Sequence, residues 1–311
     1  GLLRRSLRSL LAMSKVARSP HPAELLGAHV SAQGGLPTTP QRGVDIGATA
    51  IQVFTKTPSQ WKEPALGDDV VAAFKAELAT SGLRAVVSHD SYLINLASPD
   101  PVLRARSIAS FVAELERCER FGIPYVVSHP GNYMDDAEAG LVRNAAGYTE
   151  ALRKVPGTTM VCMETTAGCG TALGATFEQL ATLKAMIADD VRHRIGFCAD
   201  TCHLYAAGYD LVRDFDGVWA QWERLLGLEH LHVLHLNDSR TPFGSHVDRH
   251  ELVAEGSLGA EPFRRLMREP RFGHVIKVLE TPKGDDMVTN DRRMLRRLRA
   301  YARGPAAKRG R

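Results

Sequence analysis

The sequence predicts an α/β protein that folds as a single-domain (β/α)8 barrel. Three observations support this prediction: eight short runs of branched apolar residues, helical stretches between them, and ionisable side chains where the runs end. Successive runs begin 25 to 43 residues apart, which leaves room for a helix after each one. The chain has 311 residues, 44% of them hydrophobic and 24% charged, and no repeat or low-complexity linker divides it. This pattern favours one closed barrel over two open sheets.

The strands are predicted from apolar, β-branched runs that are bounded by turn residues. In chain order they cover residues 25–31, 50–56, 83–90, 125–131, 159–166, 195–203, 231–238 and 274–281. Side chains two positions before an ionisable strand end lie on the same side of the strand. These are Val87, Val127, Cys162, Cys198, Val233 and Val278, and we expect them to form a packed layer inside the barrel.

Three of the intervening helices are predicted from their ends. Asp68 is expected to cap a helix that stops at Gly82, and an apolar stripe indicates another helix within residues 108–122. Thr176, followed three residues later by Gln179, has the spacing of a capping box.

Basic residues are concentrated at the two ends of the chain, whereas the body is acidic overall. Residues 1–20 carry five basic groups and no acidic one, and residues 291–311 carry nine basic groups and one acidic one. We expect basic tails at 1–22 and 304–311 around a barrel domain at 23–303. The first twenty residues weakly resemble a mitochondrial transit peptide, but we favour an overlong N-terminus with the start at Met13. An acidic body suits nucleic acid only if its carboxylates hold cations.

The cysteines and the hydropathy pattern predict a cytoplasmic protein. Five cysteines, an odd number in a long chain, argue for reduced thiols rather than a disulfide framework. No apolar run approaches the ~18 residues that a membrane span needs. No feature demands more than a monomer.

Imidazole and carboxylate side chains stand at the C-terminal ends of seven of the eight predicted strands, and only the second strand, which ends at Lys56, breaks the pattern. All eight ends of a (β/α)8 barrel meet at one mouth. The ends offer His29, His89, His129, Glu164, Asp200, His203, His235 and Glu280, and the segment after the seventh strand adds Asp248 and His250. Such ligands suit Zn2+, and they also suit Mn2+ or Fe2+. A zinc site formed by Cys198, Cys202 and His203 is the weaker alternative.

Without His29, nine candidate ligands remain, which is more than one catalytic ion uses. They match three ions, or fewer with bridging carboxylates. Clustered divalent ions are typical of enzymes that hydrolyse phosphoesters.

Several long segments around these residues resemble one known family. They are GAHVSAQGG (27–35), VSHDSYLINLASP (87–99), VVSHPG (126–131), METTAGCG (163–170), FCADTCHLYAAGYD (197–210), HLNDSRTPFGSHVDRH (235–250) and VLET (278–281). They are similar to the endonuclease IV family of abasic-site (AP) DNA-repair endonucleases, and the similarity covers roughly residues 25–300. It implies a TIM barrel with three zinc ions that hydrolyses the phosphodiester 5′ to an abasic site in double-stranded DNA and leaves a 3′-hydroxyl.

The resemblance also implies which residues hold which ion. The three expected ligand sets are His89, His129 and Glu164; Glu164, Asp200, His235 and Glu280; and His203, Asp248 and His250. Glu164 would bridge two ions and is the expected catalytic residue for attack by a metal-activated hydroxide. His29 would support the ligands without binding an ion.

We expect DNA contacts from four residues. The resemblance implies two of them, because Tyr92 and Leu93 match the family's wedge residues, which hold the DNA kinked. The cations Lys56 and Arg249 are the other two.

The sequence departs from the family pattern at three positions. Ser59 and His246 stand where arginines are usual, and Ala254 replaces a common glycine. We expect the two lost arginines to weaken DNA binding, and Lys56, Arg249 and the basic stretch 292–299 to compensate for them.

Two other functions fit parts of the pattern. A sugar isomerase or epimerase of the xylose-isomerase type shares the barrel and places divalent ions at the same mouth. Asp248 and His250, which supply a third ion, discriminate against it. A barrel that keeps zinc only to bind damaged DNA is the other alternative, and the complete ligand set argues against it.

Overall fold

Eight parallel strands close into a barrel in the computed structural model, which describes residues 25–303. The strands are β1 (Leu26–His29), β2 (Ala50–Phe54), β3 (Ala85–His89), β4 (Tyr125–Ser128), β5 (Met160–Glu164), β6 (Ile195–Asp200), β7 (Leu231–His235) and β10 (Ile276–Leu279). Each pairs with the next, and β10 closes the ring by pairing with β1. The short strands β8 (Asp238–Ser239) and β9 (His250–Glu251) form an antiparallel ribbon after β7. The predicted fold class is confirmed, and the tails predicted at 1–22 and 304–311 lie outside the described residues.

Helices surround the barrel. They are α1 (Thr39–Asp45), α2 (Asp68–Ser81), α3 (Pro101–Phe121), α4 (Ala137–Lys154), α5 (Phe177–Met186), α6 (Asp189–Arg192), α7 (Thr201–Ala207), α8 (Phe215–Leu226), α9 (Glu261–Arg268) and α10 (Thr289–Arg303). Three short 3-10 turns cover Leu36–Thr38, Leu228–His230 and Pro270–Phe272. Within residues 25–303, no helix combines the length and the apolar character that crossing a membrane requires.

The predicted layer inside the barrel is confirmed. Eight buried side chains form one cluster there: Ala50, Val87, Val127, Cys162, Cys198, Val233, Ile276 and Val278. Because strand residues alternate between the two sides, the ionisable residues two positions later point into the barrel mouth above this layer.

The sixth strand is shorter than predicted, and His203 belongs to α7 rather than to a strand. The Asp200 side chain accepts hydrogen bonds from the backbone N–H groups of Cys202 (2.7 Å) and His203 (3.0 Å). These bonds cap the helix and start it directly after β6.

Two of the predicted helix caps need correction. Gly67 is the N-cap of α2, and Asp68 is its first helical residue. Thr176 does cap α5, but the Gln179 side chain accepts hydrogen bonds from Gly174 and Ala175 instead of from the Thr176 N–H, so the capping box is incomplete.

Arginines of α10 hold neighbouring segments together. Arg292 and Arg299 each donate to a backbone oxygen near the end of α1, at 2.6 Å in both cases. Arg293 and Arg297 both pair with Glu255. These four members of the basic stretch that was expected to assist DNA binding therefore have protein partners.

Candidate metal centre

Glu164 lies at the centre of the barrel mouth, and its carboxylate is completely buried among imidazoles. Its Oε2 atom lies 3.3 Å from His89 Nε2 and 3.2 Å from His129 Nε2. Its Oε1 atom lies 3.0 Å from His235 Nδ1 and 3.3 Å from His203 Nδ1. These side chains come from the C-terminal ends of four strands and from the start of one helix. The strands are β3, β4, β5 and β7, and the helix is α7.

The structure gathers the nine predicted ligands into groups whose ligand atoms all lie within 4.8 Å of one another. Three of the groups are His89, His129 and Glu164; Glu164, Asp200, His235 and Glu280; and His203, Asp248 and His250. Zn–N and Zn–O bonds of about 2.0–2.2 Å place tetrahedral ligands about 3.4 Å apart. The spacings around Glu164 are close to that value.

The histidine tautomers favour a cation between these groups. A ring nitrogen that faces a carbonyl oxygen must carry the hydrogen, and Nδ1 faces the Asp90 oxygen in His89 (2.9 Å) and the Thr165 oxygen in His203 (2.8 Å). In the neutral form of either ring, the lone pair of Nε2 then faces a carboxylate oxygen, of Glu164 or of Asp248. Two lone pairs repel unless a positive charge stands between them.

The need for a cation between a ring nitrogen and a carboxylate is clearest at His250. Its Nδ1 atom faces the Glu280 backbone oxygen at 3.3 Å. Its Nε2 atom is buried and has no hydrogen-bond partner, although Asp248 Oδ1 is 3.2 Å away and Asp200 Oδ2 is 3.6 Å away. A metal ion would satisfy this nitrogen and both carboxylates. The residues present therefore fit the metal ions that the ligand set implies.

The electrostatics of the centre also favour bound positive charge. Burial lowers the pKa of His89, but the hydrogen bond and the charge of Glu164 raise it to about 10. Burial would raise the pKa of Glu164, and yet the charges of His235 and His129 hold it well below its usual value. The Glu164 carboxylate is therefore ionised and needs positive charge beside it, which protonated imidazoles or bound metal ions can supply.

Two buried amides that the sequence analysis missed hold the ligands in place. Gln52 donates to Glu280 Oε1 (2.6 Å) and accepts from His235 Nε2 (2.8 Å), so His235 presents Nδ1 to the centre. Asn237 donates to Asp200 Oδ2 at 2.6 Å and accepts from the Glu280 backbone N–H at 2.9 Å. A signal for Gln52 existed, because it is the polar residue inside the one strand whose end offers no ligand.

His29 lies beside the ligands, as expected, and outside the three groups. Its Nδ1 atom is 3.0 Å from Gln52 Nε2 and 3.7 Å from Glu280 Oε1. Burial lowers its pKa despite the hydrogen bond with Glu280, which keeps the ring neutral.

The alternative cysteine site is not assembled. Among residues 25–303, Cys198, Cys202 and His203 form no common group of ligand atoms. Cys198 is part of the packed layer, and burial raises the pKa of Cys202 to about 12, against thiolate formation.

Lys56 does not present its charge at the mouth. Its ammonium is buried and donates to Glu63 Oε1 at 2.7 Å and to Ser110 Oγ at 3.0 Å. The prediction that Lys56 contacts DNA therefore has no support in this arrangement, because the ammonium is buried and two of its three N–H groups are engaged within the protein.

The other predicted DNA-contacting residues lie at the rim. The Tyr92 side chain is 70% exposed, with its ring 5.1 Å from that of Phe54. Leu93, next to it, is half-buried. Arg249 is exposed, and its guanidinium donates to the Asp248 backbone oxygen at 2.7 Å.

The three departures from the family pattern lie in loops. Ser59 is exposed. His246 connects two loops, because its Nδ1 lies 3.1 Å from the Ala167 oxygen. Ala254 has a φ of 64°, a left-handed conformation that favours glycine.

The chain is similar to known proteins in both sequence and structure. The family of xylose isomerase-like TIM barrels matches residues 40–298. A probable endonuclease 4 from Chloroflexus aggregans is 47% identical over 286 residues, which cover 90% of this chain and 99% of the relative. A probable endonuclease 4 from Trichlorobacter lovleyi is 46% identical over 268 residues, which cover 85% of this chain and 95% of the relative.

Solved structures agree with the sequence matches. The crystal structure of endonuclease IV from Thermus thermophilus superimposes with a TM-score of 0.80 at 37% identity, over 90% of this chain and 99% of that one. A D-tagatose 3-epimerase-like protein has a TM-score of 0.66 at 14% identity, over 89% of this chain and 98% of that one, and shares the fold alone. The geometry of the ligand groups and the 47% sequence identity over 90% of the chain lead to one conclusion: the chain belongs to the endonuclease IV family.

Proposed function

We propose that the protein is a zinc-dependent AP endonuclease of DNA base excision repair. It hydrolyses the phosphodiester on the 5′ side of an abasic site and leaves a 3′-hydroxyl. The observation that carries this proposal is the convergence of three ligand groups on one mouth, two of which share Glu164. Family membership supports the coarser part, an enzyme that hydrolyses nucleic acid and binds metal.

Each group would hold one zinc ion. Bound there, zinc would activate water as the nucleophile and neutralise charge on the departing oxygen. Mn2+ or Fe2+ would suit the same nitrogen and oxygen ligands.

The protein residues position these ligands and move the proton. Gln52 and the carbonyl oxygens of Asp90, Thr165 and Glu280 fix the tautomers of the histidine ligands. Glu164 is the proposed catalytic residue, because its buried carboxylate lies between two groups, where an oxygen would receive the proton of the attacking water.

Residues at the rim would recognise the abasic site. An exposed Tyr92 with Leu93 beside it can enter a base step and keep the DNA kinked, which costs least where a base is already missing. The exposed Arg249 lies beside the third group, where it would contact a phosphate.

A duplex with one abasic site, labelled on the damaged strand, tests the function. We expect zinc-dependent cleavage 5′ to the lesion and a product that a polymerase extends, whereas an undamaged duplex stays intact. Binding without cleavage would instead support the damage-binding scaffold. Neither binding nor cleavage, together with isomerisation or epimerisation of a ketohexose, would support the sugar enzyme.

A further inference from the structure

One face of α3 carries a row of polar side chains that contact the β2–α2 loop, which we define as residues 55–67. The row consists of Arg106, Ser110, Glu114, Arg117 and Arg120, three or four residues apart, and we call it the α3 polar row. A surface helix has no need to bury charge, but two members of this row, Glu114 and Arg117, are almost fully buried.

Arg117 is the centre of the row, and all three of its nitrogens are engaged. Nε donates to Thr55 Oγ1 at 2.7 Å, one Nη donates to Glu63 Oε2 at 2.5 Å, and the other donates to Glu114 Oε2 at 2.6 Å. Glu114 also accepts from Thr55 Oγ1 at 2.6 Å and from Ser88 on β3. A single guanidinium therefore joins the first residue of the loop to its second half.

Glu63 completes the connection from the loop side. Its Oε1 atom accepts from Lys56 Nζ and from Ser110 Oγ, both at 2.7 Å. Two carboxylates, Glu63 and Glu114, thus neutralise two cations, Lys56 and Arg117. The four side chains lie where the loop contacts α3. Removing one partner would leave an uncompensated buried charge, so the network fixes one loop conformation.

The ends of the row hold the rest of the loop. The Arg106 guanidinium lies 4.5 Å from the centre of the Trp61 ring, and Arg120 donates to the Leu66 backbone oxygen at 2.8 Å. The loop has no helix or strand of its own. Its shape therefore depends on these contacts with α3.

The β2–α2 loop forms one wall of a groove that reaches the metal centre. The groove has a volume of about 810 Å3 and lies between residues 29–36 and 54–65. His29, one of its lining residues, lies 3.7 Å from Glu280 of the metal centre. Pro58 of the loop accepts a hydrogen bond from Ser91 Oγ at 2.5 Å, next to the exposed Tyr92. With Lys56 engaged below, Lys62 is an exposed cation on this wall.

We infer that Arg117, acting through Glu63, is a positioning residue for substrate binding: the α3 polar row holds the β2–α2 loop as the wall against which a DNA strand lies beside the metal centre. The inference rests on the proposed function. Neither residue touches the ligand groups, so the chemistry at the metal centre should not depend on the pair.

The test compares Glu63→Gln with a matched control, Glu119→Gln. Glu119 also pairs with a buried arginine, Arg194, at 3.3 Å, and is 25% exposed against 32% for Glu63, but it lies away from the loop. For the abasic duplex we expect Glu63→Gln to raise KM about tenfold and to leave kcat within about twofold, whereas Glu119→Gln leaves KM unchanged. Arg117→Lys, which keeps the charge but loses the fork, should raise KM as well.

A second measurement does not need activity. Trypsin should cleave after Lys62 faster in metal-loaded Arg117→Lys than in the wild type or in Glu119→Gln, because the loop is released while the residues around the cleavage site stay the same. Unchanged KM in folded Glu63→Gln and Arg117→Lys variants with unchanged trypsin cleavage in Arg117→Lys, or an equal rise of KM in the control, would overturn the inference. A wild-type protein that neither binds nor cuts the abasic duplex would instead overturn the proposed function, and the trypsin result would still report on the loop.

Discussion

Glu164 Oε1 lies 3.0 Å from His235 Nδ1, and neither side chain is exposed to solvent. The other oxygen, Oε2, lies 3.2 Å from His129 Nε2. The two oxygens of one carboxylate thus face different ligand groups. This division explains how a single residue can belong to both groups.

Glu164→Gln should abolish cleavage of the abasic duplex while the protein stays folded. The amide keeps the shape but loses the charge, and one of its two terminal atoms becomes a donor that repels a metal ion. Loss of a residue that only supports a ligand costs 10–100-fold, so we expect more than about a 100-fold loss of kcat. Steady-state kinetics and circular dichroism measure the two effects. Glu178→Gln, at an exposed glutamate of α5, is the control. Near-normal turnover in Glu164→Gln would refute the proposed site.

The purified protein should contain about three zinc equivalents, and His250→Ala should contain about two. Of the three expected ligand sets, His250 belongs to the third alone, so loss of its buried Nε2 should empty that position. Elemental analysis after dialysis measures the content, with His193→Ala, at an exposed histidine, as the control. A wild-type content of one ion would contradict the three-group interpretation. Chelation should also lower the melting temperature, because the ions bind the folded state.

Tyr92→Ala should weaken binding of the abasic duplex by about tenfold or more. An aromatic ring stacked on a base contributes roughly 1–3 kcal/mol, and this ring is exposed at the rim. Fluorescence anisotropy with a labelled duplex and the inactive Glu164→Gln background measures the change. Val102→Ala removes another exposed apolar side chain, on α3, and should bind as before. Equal binding with and without the tyrosine would remove Tyr92 from the proposed interface.

Ala254→Gly should stabilise the protein by about 1 kcal/mol. Its φ of 64° places the Cβ atom too close to the backbone, which costs roughly 1–2 kcal/mol, and glycine relieves that strain at a smaller entropic cost. Chemical unfolding measures the difference. Ala113→Gly, inside α3, should instead destabilise by about 1 kcal/mol. A destabilised Ala254→Gly would show that the strain is absent.

Lys277 should make stability rise with pH above neutrality. Burial lowers its pKa to about 7 from an ordinary value of 10.5. Between these values the unfolded chain binds a proton that the folded chain does not, so the free energy of unfolding increases with pH across this window. Well below pH 7 both the folded and the unfolded chain hold the proton, so the destabilisation by the buried charge of Lys277 no longer changes with pH.

Lys277→Met removes this dependence and serves as the reference. From pH 7 to pH 9, the free energy of unfolding of the wild type should gain about 2 kcal/mol relative to the variant, as measured by urea denaturation at both values. A constant difference would mean that the buried amine keeps its ordinary pKa.

The fold and the ligand candidates could be predicted from the sequence alone. The eight strands and their order follow from local hydrophobic patterns, and barrel closure brings the ends of those strands together whatever the loops do. Seven of the nine ligand candidates could therefore be named from the predicted strand ends, and Asp248 and His250 from the segment after the seventh strand. The helices end at Gly82 and Gly122, as predicted, and both glycines take the left-handed conformation that ends a helix locally.

Only the tertiary structure decided which partner each polar group takes. From the sequence, Lys56 was expected to be a free cation. In the structure its ammonium is buried, because it donates to Glu63, seven residues along the chain, and to Ser110 of α3. Gln52 and Asn237 orient ligands from other strands, at separations that no local pattern reveals. Hydrogen-bond partners depend on how distant segments pack, and the sequence carries no direct record of that packing.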